Sequence, residues 1–210
     1  DHARFTPLDD AARARVRERL GMRGVVVVLP ARLSQEKNQL GAVEAVGRMK
    51  RAGTLPPGFA LWLVGRVDAG ALADALHAAV RAADAGDAVR LCGASSEMPE
   101  VMAAADAVLL PSHFEGMPNV VLEALACGTP AVVSPPANRD AIVVEGANGV
   151  VLAGTDAADI AEGLAAIAAR SEAERRAMGA RGRERVLEAF TLERMVARTC
   201  AVYDALAARG

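Results

Sequence analysis

The chain has 210 residues, a formal net charge of -2 and a hydrophobic fraction of 52%, with aromatics only 3%. That length suits one domain or two small ones, and the apolar fraction supports a sizeable core built largely from Ala, Val and Leu. The charge balance argues against a dedicated nucleic-acid binder, whose phosphate contacts normally bring a basic excess.

Cys92, Cys127 and Cys200 are far apart, odd in number and flanked by apolar residues. They show neither metal-ligand spacing nor a disulfide framework, so they read as small packing residues in a reducing, cytoplasmic setting. No stretch has the pattern of a signal peptide or a membrane-spanning run.

In chain order, Asp9–Leu20 reads as a charged leading helix broken by Gly21 and Gly24. Short runs of consecutive Val and Leu then predict strands at Val25–Leu29, Ala60–Val64, Ala88–Cys92, Ala107–Leu110, Ala131–Ser134 and Val150–Leu152. Consecutive rather than alternating apolar residues fit strands covered on both faces. Helical stretches fall between them at Glu36–Arg51, Ala69–Ala85, Glu97–Ala104 and Asn119–Cys127. This alternation predicts a single α/β domain with a doubly wound parallel sheet of about six strands. From Asp156 the pattern is helical: Asp156 caps Ala157–Ala169, Ser171 and Glu174 form a capping box, and Thr191 caps Leu192–Leu206.

In such a sheet, ligands bind beyond the carboxyl ends of the strands, so the loops there carry the information. The first loop holds Arg32 and Lys37, with Ser34 or Gln35 as the expected cap and Lys37 in the first helical turn. A cation there is slightly disfavoured unless an anion lies nearby, and a diphosphate would supply one. Gly65 permits close backbone approach at the second strand end, and Gly93 a tight turn at the third, where backbone beside Cys92 could read the edge of a planar base. Ser95 or Ser96 is placed to cap the helix that contains Met98. No GxGxxG fingerprint is present.

The fourth loop carries Glu115 and Glu123 with seven residues between them. Pro118 suits the first helical position, leaving the amides of Asn119, Val120 and Val121 free to hold phosphate. Glu123, in the apolar run Val-Val-Leu-Glu-Ala-Leu-Ala, suits a vicinal diol such as that of a ribose, whereas Glu115 suits hydroxyls beyond the phosphates. Without a ligand, Glu115 reads as a favourable charge near a helix amino end and Glu123 as a solvent-facing stripe. His113 reads as a loop histidine, and no Ser–His–Asp order or metal cluster can be assembled.

These residues resemble the carboxyl-terminal, donor-binding domain of retaining GT-B glycosyltransferases of the group 1 (GT4) kind. The resemblance rests on Ala-Arg-Leu-Ser-Gln-Glu-Lys-Asn (31–38), Leu-Val-Gly (63–65), Ala-Asp-Ala-Val-Leu-Leu-Pro-Ser (105–112) and Asn-Gly-Val-Val (148–151). Its most specific part is Glu-Gly-Met-Pro-Asn-Val-Val-Leu-Glu-Ala-Leu-Ala-Cys-Gly-Thr-Pro (115–130), which matches the family's E-x7-E signature. It implies that Arg32 and Lys37 bind the donor diphosphate, that Glu123 takes the ribose diol and that Glu115 contacts the donor sugar. Glu115, Arg32 and Lys37 are thus the expected catalytic set, with no metal. The expected donor site comprises Glu123, Gly116, Met117, Pro118, Asn119, Val120, Gly65, Cys92, Gly93 and Met98.

The chain departs from the family pattern at Ala31, where Gly is usual, and at Pro135–Asp140, which replace a glycine-rich turn and a Glu. Residues 1–20 read as the end of an interdomain linker plus a leading helix, and 156–210 as extra carboxyl-terminal helices. The resemblance implies a nucleotide-sugar donor, most simply a UDP-sugar, no cofactor, and an amino-terminal acceptor half outside this chain. Any peripheral membrane contact is expected only through that half, and the isolated domain is expected to bind donor without transferring it. The alternatives are half of a nucleotide-sugar 2-epimerase and a non-catalytic nucleotide-binding or interaction module.

Overall fold

Five consecutive residues, Val26–Pro30 (β1), are buried, which places this strand at the centre of a sheet. The computed structural model describes residues 2–67 and 70–207. Around β1 it places β2 (Ala60–Val64), β3 (Val89–Gly93), β4 (Ala107–Leu110), β5 (Ala131–Val133) and β6 (Gly149–Val151). All pair in parallel, in the order β3-β2-β1-β4-β5-β6. Chain order reverses between β1 and β4, the topological switch point at which ligands of such sheets bind.

Alternate side chains of each strand point to opposite faces. Val27 and Leu29 of β1 join Leu61, Leu63, Leu109 and Val132 on one face. That face is covered by α2 (Gln39–Arg51), α3 (Ala71–Ala82) and α6 (Ala157–Ala168). Val26 and Val28 face the other way with Trp62 and Val64, beneath α1 (Asp10–Leu20) and α4 (Met98–Ala104). Val108 and Leu110 of β4 continue that second face beneath α5 (Asn119–Ala126) and α7 (Glu172–Ala189).

The second face is stitched at the amino end of β4 by Asp106, only 4% exposed. Its Oδ1 accepts hydrogen bonds from Arg13 and Arg175, each at 3.2 Å. Its Oδ2 accepts from Arg17 at 3.0 Å and from the Val26 amide at 2.8 Å. One carboxylate thereby joins α1, β1, β4 and α7.

Helix ends follow their caps. Asp156 accepts from the amides of Ala158 and Asp159, Ser171 and Glu174 form the expected capping box, and Thr191 accepts from the Arg194 amide. α8 (Leu192–Ala207) contains no buried residue. About half of the strand and helix ends shift by one or two residues from expectation. The helix expected from Ala69 starts, among described residues, at Ala71 and ends at Ala82; Ala69 itself lies outside them.

The largest correction concerns the helix expected from Glu36. Gln35–Lys37 form a separate 3-10 turn, and α2 begins at Gln39. Asn38 stands between them in the left-handed region (φ 56°), and its side chain, not that of Ser34 or Gln35, caps α2 by accepting from the Gly41 amide. Lys37 therefore precedes the helix instead of occupying its first turn. Pro118 likewise takes the capping position before α5, not its first helical position.

Candidate functional site at the switch point

The loops that leave β1 and β4 are fastened together. Asn38 donates to the carbonyls of Pro111 (3.2 Å) and Thr155 (2.8 Å), and the His113 amide donates to the Glu36 carbonyl at 2.8 Å. These bonds explain the left-handed Asn38: its amide group reaches two carbonyls of distant loops only if the chain turns there. Asn and Asp tolerate this conformation better than other non-glycine residues.

Across this junction Lys37 Nζ lies 2.6 Å from Glu115 Oε1. The same oxygen accepts from Ser112 Oγ at 2.8 Å. Ser112 is fully buried, and its carbonyl accepts from Ser134 Oγ at 2.6 Å, so the carboxylate rests on the ends of β4 and β5. Glu115 and Lys37 are thus brought together as a partly buried pair, with side-chain exposures of 9% and 26%. Arg32 sits on the same loop but is exposed, and its guanidinium makes no ion pair among those described.

Gly65 and Gly93 also meet, the Gly65 amide donating to the Gly93 carbonyl at 2.8 Å. A Cβ on Gly65 would collide with the Ala31 carbonyl, so close approach to the first loop requires glycine. Gly93 has φ 68°, as the tight turn demands. Cys92 and Met98 are half-buried and pack against one apolar cluster with Trp62 and Val101. Neither Ser95 nor Ser96 caps α4: Glu97 takes the capping position without a side-chain bond, and Ser95 accepts only from the Glu97 amide ahead of it. Burial pushes the Cys92 thiol up, and the Cys127 thiol up to about 12, so neither is poised as a thiolate.

At the start of α5 the expected row of free amides is partly used internally. The Asn119 amide donates to the Met117 carbonyl and the Val121 amide to Pro118, both at 2.9 Å. The Val120 amide has no acceptor among the described bonds. Glu123 lies apart from Glu115, lining a cavity of about 670 Å3 with Met117, Asn119, Phe5, Phe190 and Thr191. Its carboxylate is half-buried, makes no described hydrogen bond, and is held above its usual range by burial, an effect opposed by Arg4. Gly116 faces open space.

Two features of the rim were not anticipated. Phe114, 61% exposed, has the Arg139 guanidinium 5.9 Å from its ring centre. The Pro135–Asn138 turn behind it is closed by Asn138, whose side chain bonds both the amide and the carbonyl of Val143. The contact of Ser112 with Glu115 was also not anticipated; its sequence signals are its place at the end of the 105–112 motif and its position three residues before Glu115. Among the described residues no group of three or more His, Cys, Asp or Glu could hold a metal ion, and no helix is long and apolar enough to cross a membrane.

A doubly wound parallel sheet with a Lys37–Glu115 ion pair joining the facing loops of its switch point defines an α/β protein with a polar crevice where such sheets bind ligands. The model of the family "Glycosyl transferases group 1" matches residues 11–185, and the chain belongs to that family. A D-inositol 3-phosphate glycosyltransferase of Salinispora tropica is 33% identical over 97% of this chain and 44% of its own length. In fold, the chain is similar to the Anabaena HepE protein solved with UDP and glucose (TM-score 0.80, 22% identity, 96% of this chain and 54% of that one). It is equally similar to the carboxyl-terminal domain of a group 1 glycosyltransferase from Francisella tularensis (TM-score 0.80, 20% identity, 91% of this chain and 98% of that one). The fold is therefore that of a GT-B carboxyl-terminal domain, and the chain spans less than half the length of the Salinispora relative.

Proposed function

We propose that the switch-point crevice binds the diphosphate of a nucleotide sugar, a UDP-sugar in the simplest case. The chain would then be the donor-binding half of a retaining, metal-independent hexosyltransferase. The observation that carries this reading is the Lys37–Glu115 pair joining the two loops, with Arg32 exposed on the first of them. Lys37 and Arg32 supply the point charge and planar fork that suit a diphosphate. The Val120 amide at the α5 amino end adds a donor. When the sugar–phosphate bond breaks, negative charge grows on the leaving diphosphate, and cations already in place stabilise it without reorganisation. Glu123, half-buried and without a described partner, is suited to accept from ribose hydroxyls. The UDP bound by the Anabaena protein supports the choice of base.

The acceptor would bind a second half. The apolar, exposed side chains of α8, among them Leu192, Met195, Val196 and Leu206, are of the kind a further domain covers. Alone, the chain is expected to bind donor, in the cytoplasm, without transferring its sugar. The test is titration with UDP, GDP and ADP followed by amide shifts. Shifts at Lys37, Gly116 and Val120 that Lys37→Ala abolishes are expected. No response to any of the three at millimolar concentration overturns the reading.

A further inference from the structure

We infer that Ser112 is a positioning residue of the donor site, holding one oxygen of Glu115 so that the other is presented to the transferred sugar. This rests on the donor-site reading above and adds a residue and a role to it.

Both groups that hold Glu115 act on the same oxygen: Lys37 Nζ and Ser112 Oγ each approach Oε1, at 2.6 and 2.8 Å. Oε2 has no described partner. A carboxylate offers about four acceptor sites, so Oε2 keeps its full capacity for a ligand hydroxyl.

The two holds differ in kind. Lys37 is a flexible ammonium stem, a quarter exposed, and in the donor-site reading it turns toward the diphosphate. Ser112 is fully buried, follows β4 by two residues, and is pinned through its own carbonyl by Ser134 Oγ. Ser134 is itself fully buried, and its amide donates to the Leu110 carbonyl at 3.1 Å. The chain of bonds from the β4–β5 ladder through Ser134 and Ser112 to Glu115 therefore persists when Lys37 is recruited elsewhere. A carboxylate left by its lysine and lacking Ser112 would be free to rotate about its side-chain bonds, and the ordering cost would fall on sugar binding.

A buried serine hydroxyl needs an acceptor in any case, so the bond alone could serve only the fold. The two roles separate in one experiment. UDP and a panel of UDP-sugars (glucose, galactose, N-acetylglucosamine, glucuronate) are titrated into the chain, and the tightest UDP-sugar is compared with UDP. Ser112→Ala is expected to leave the UDP affinity within about two-fold while cutting the extra affinity due to the sugar about five-fold, the size of one ordinary hydrogen bond. Ser112→Cys, which keeps the shape with a weaker donor, should fall between. In a Glu115→Gln background, Ser112→Ala should have no further effect on that ratio.

Equal weakening of UDP and UDP-sugar by Ser112→Ala, an unchanged ratio, or additivity with Glu115→Gln would each overturn the inference. So would a panel in which no sugar binds more tightly than UDP, with the donor-site reading left standing. Absence of UDP binding by the unaltered chain would instead sink that reading, and the inference with it.

Discussion

Asp106 and Glu123 are acids with opposite surroundings, and their substitutions should have opposite effects. Asp106 is matched by Arg13, Arg17 and Arg175 and by the Val26 amide. Asp106→Ala leaves those largely buried guanidinium groups without their shared carboxylate. Breaking a buried charge cluster from one side costs about 3–5 kcal/mol. Urea unfolding should show a lower midpoint with an unchanged slope, since the surface exposed on unfolding is the same. Glu123 has no such partner, and burial raises its pKa in the folded chain. A raised folded pKa means the native state binds the proton more tightly than the unfolded state does. Its contribution is then fully present below the unfolded value, about 4.3, and is lost as pH rises through the folded value. Glu123→Gln should therefore raise the thermal midpoint at pH 7 and leave it unchanged below about pH 4, as scanning calorimetry at the two values would show. If Glu123 serves the ribose, the same variant weakens UDP binding, so the carboxylate is retained at a cost in stability.

At the scale of elements, α7 is held against the α5–β5 turn by closeness that only glycine allows. A Cβ on Gly179 would strike the Gly128 carbonyl, and one on Gly182 the Leu125 side chain. Backbone cannot yield as a side-chain tip can, so Gly179→Ala should destabilise by about 1–3 kcal/mol, as overpacking does. Gly182→Ala should cost less because Leu125 can adjust; paired urea curves would give the order. The same contrast between local and distant causes sets what could be read in the sequence. The strands were legible because burial on both faces leaves continuous Val and Leu runs, as in Val26–Leu29 and Ala107–Leu110. The caps at Asp156 and Ser171 were legible because donor and acceptor are three residues apart. The turn before α2 was not, because Asn38 takes its conformation from Pro111 and Thr155, 73 and 117 residues away. The cluster around Asp106 was hidden for the same reason. Of the site, Lys37 and Glu115 were legible as residues, but their contact was not: it depends on β1 and β4 being neighbours across the switch point.

For the whole molecule, the question is what the surface of α8 does when nothing covers it. Leu192, Met195 and Val196, and further along the helix Val202, Tyr203 and Leu206, fall at three-, four- and seven-residue spacing and are all exposed. Such a stripe on an amphipathic helix normally faces a partner. Contiguous exposed apolar surface of this kind drives association in water. The net charge of -2 offers little repulsion to oppose it. The chain by itself should therefore self-associate with rising concentration, measurable by sedimentation velocity. The variant Val196→Ser/Val202→Gln/Leu206→Gln, at positions that do not line the Glu123 cavity, should remain monomeric over the same range. Because α8 contributes no buried residue, that variant should change unfolding free energy by no more than about 0.5 kcal/mol per site. It should also keep the response of Lys37 and Gly116 to UDP, since those residues stand at the switch point and not on α8. A loss of stability well beyond that bound would mean that α8 is packed into the domain core, and an unchanged association would mean that another surface carries it.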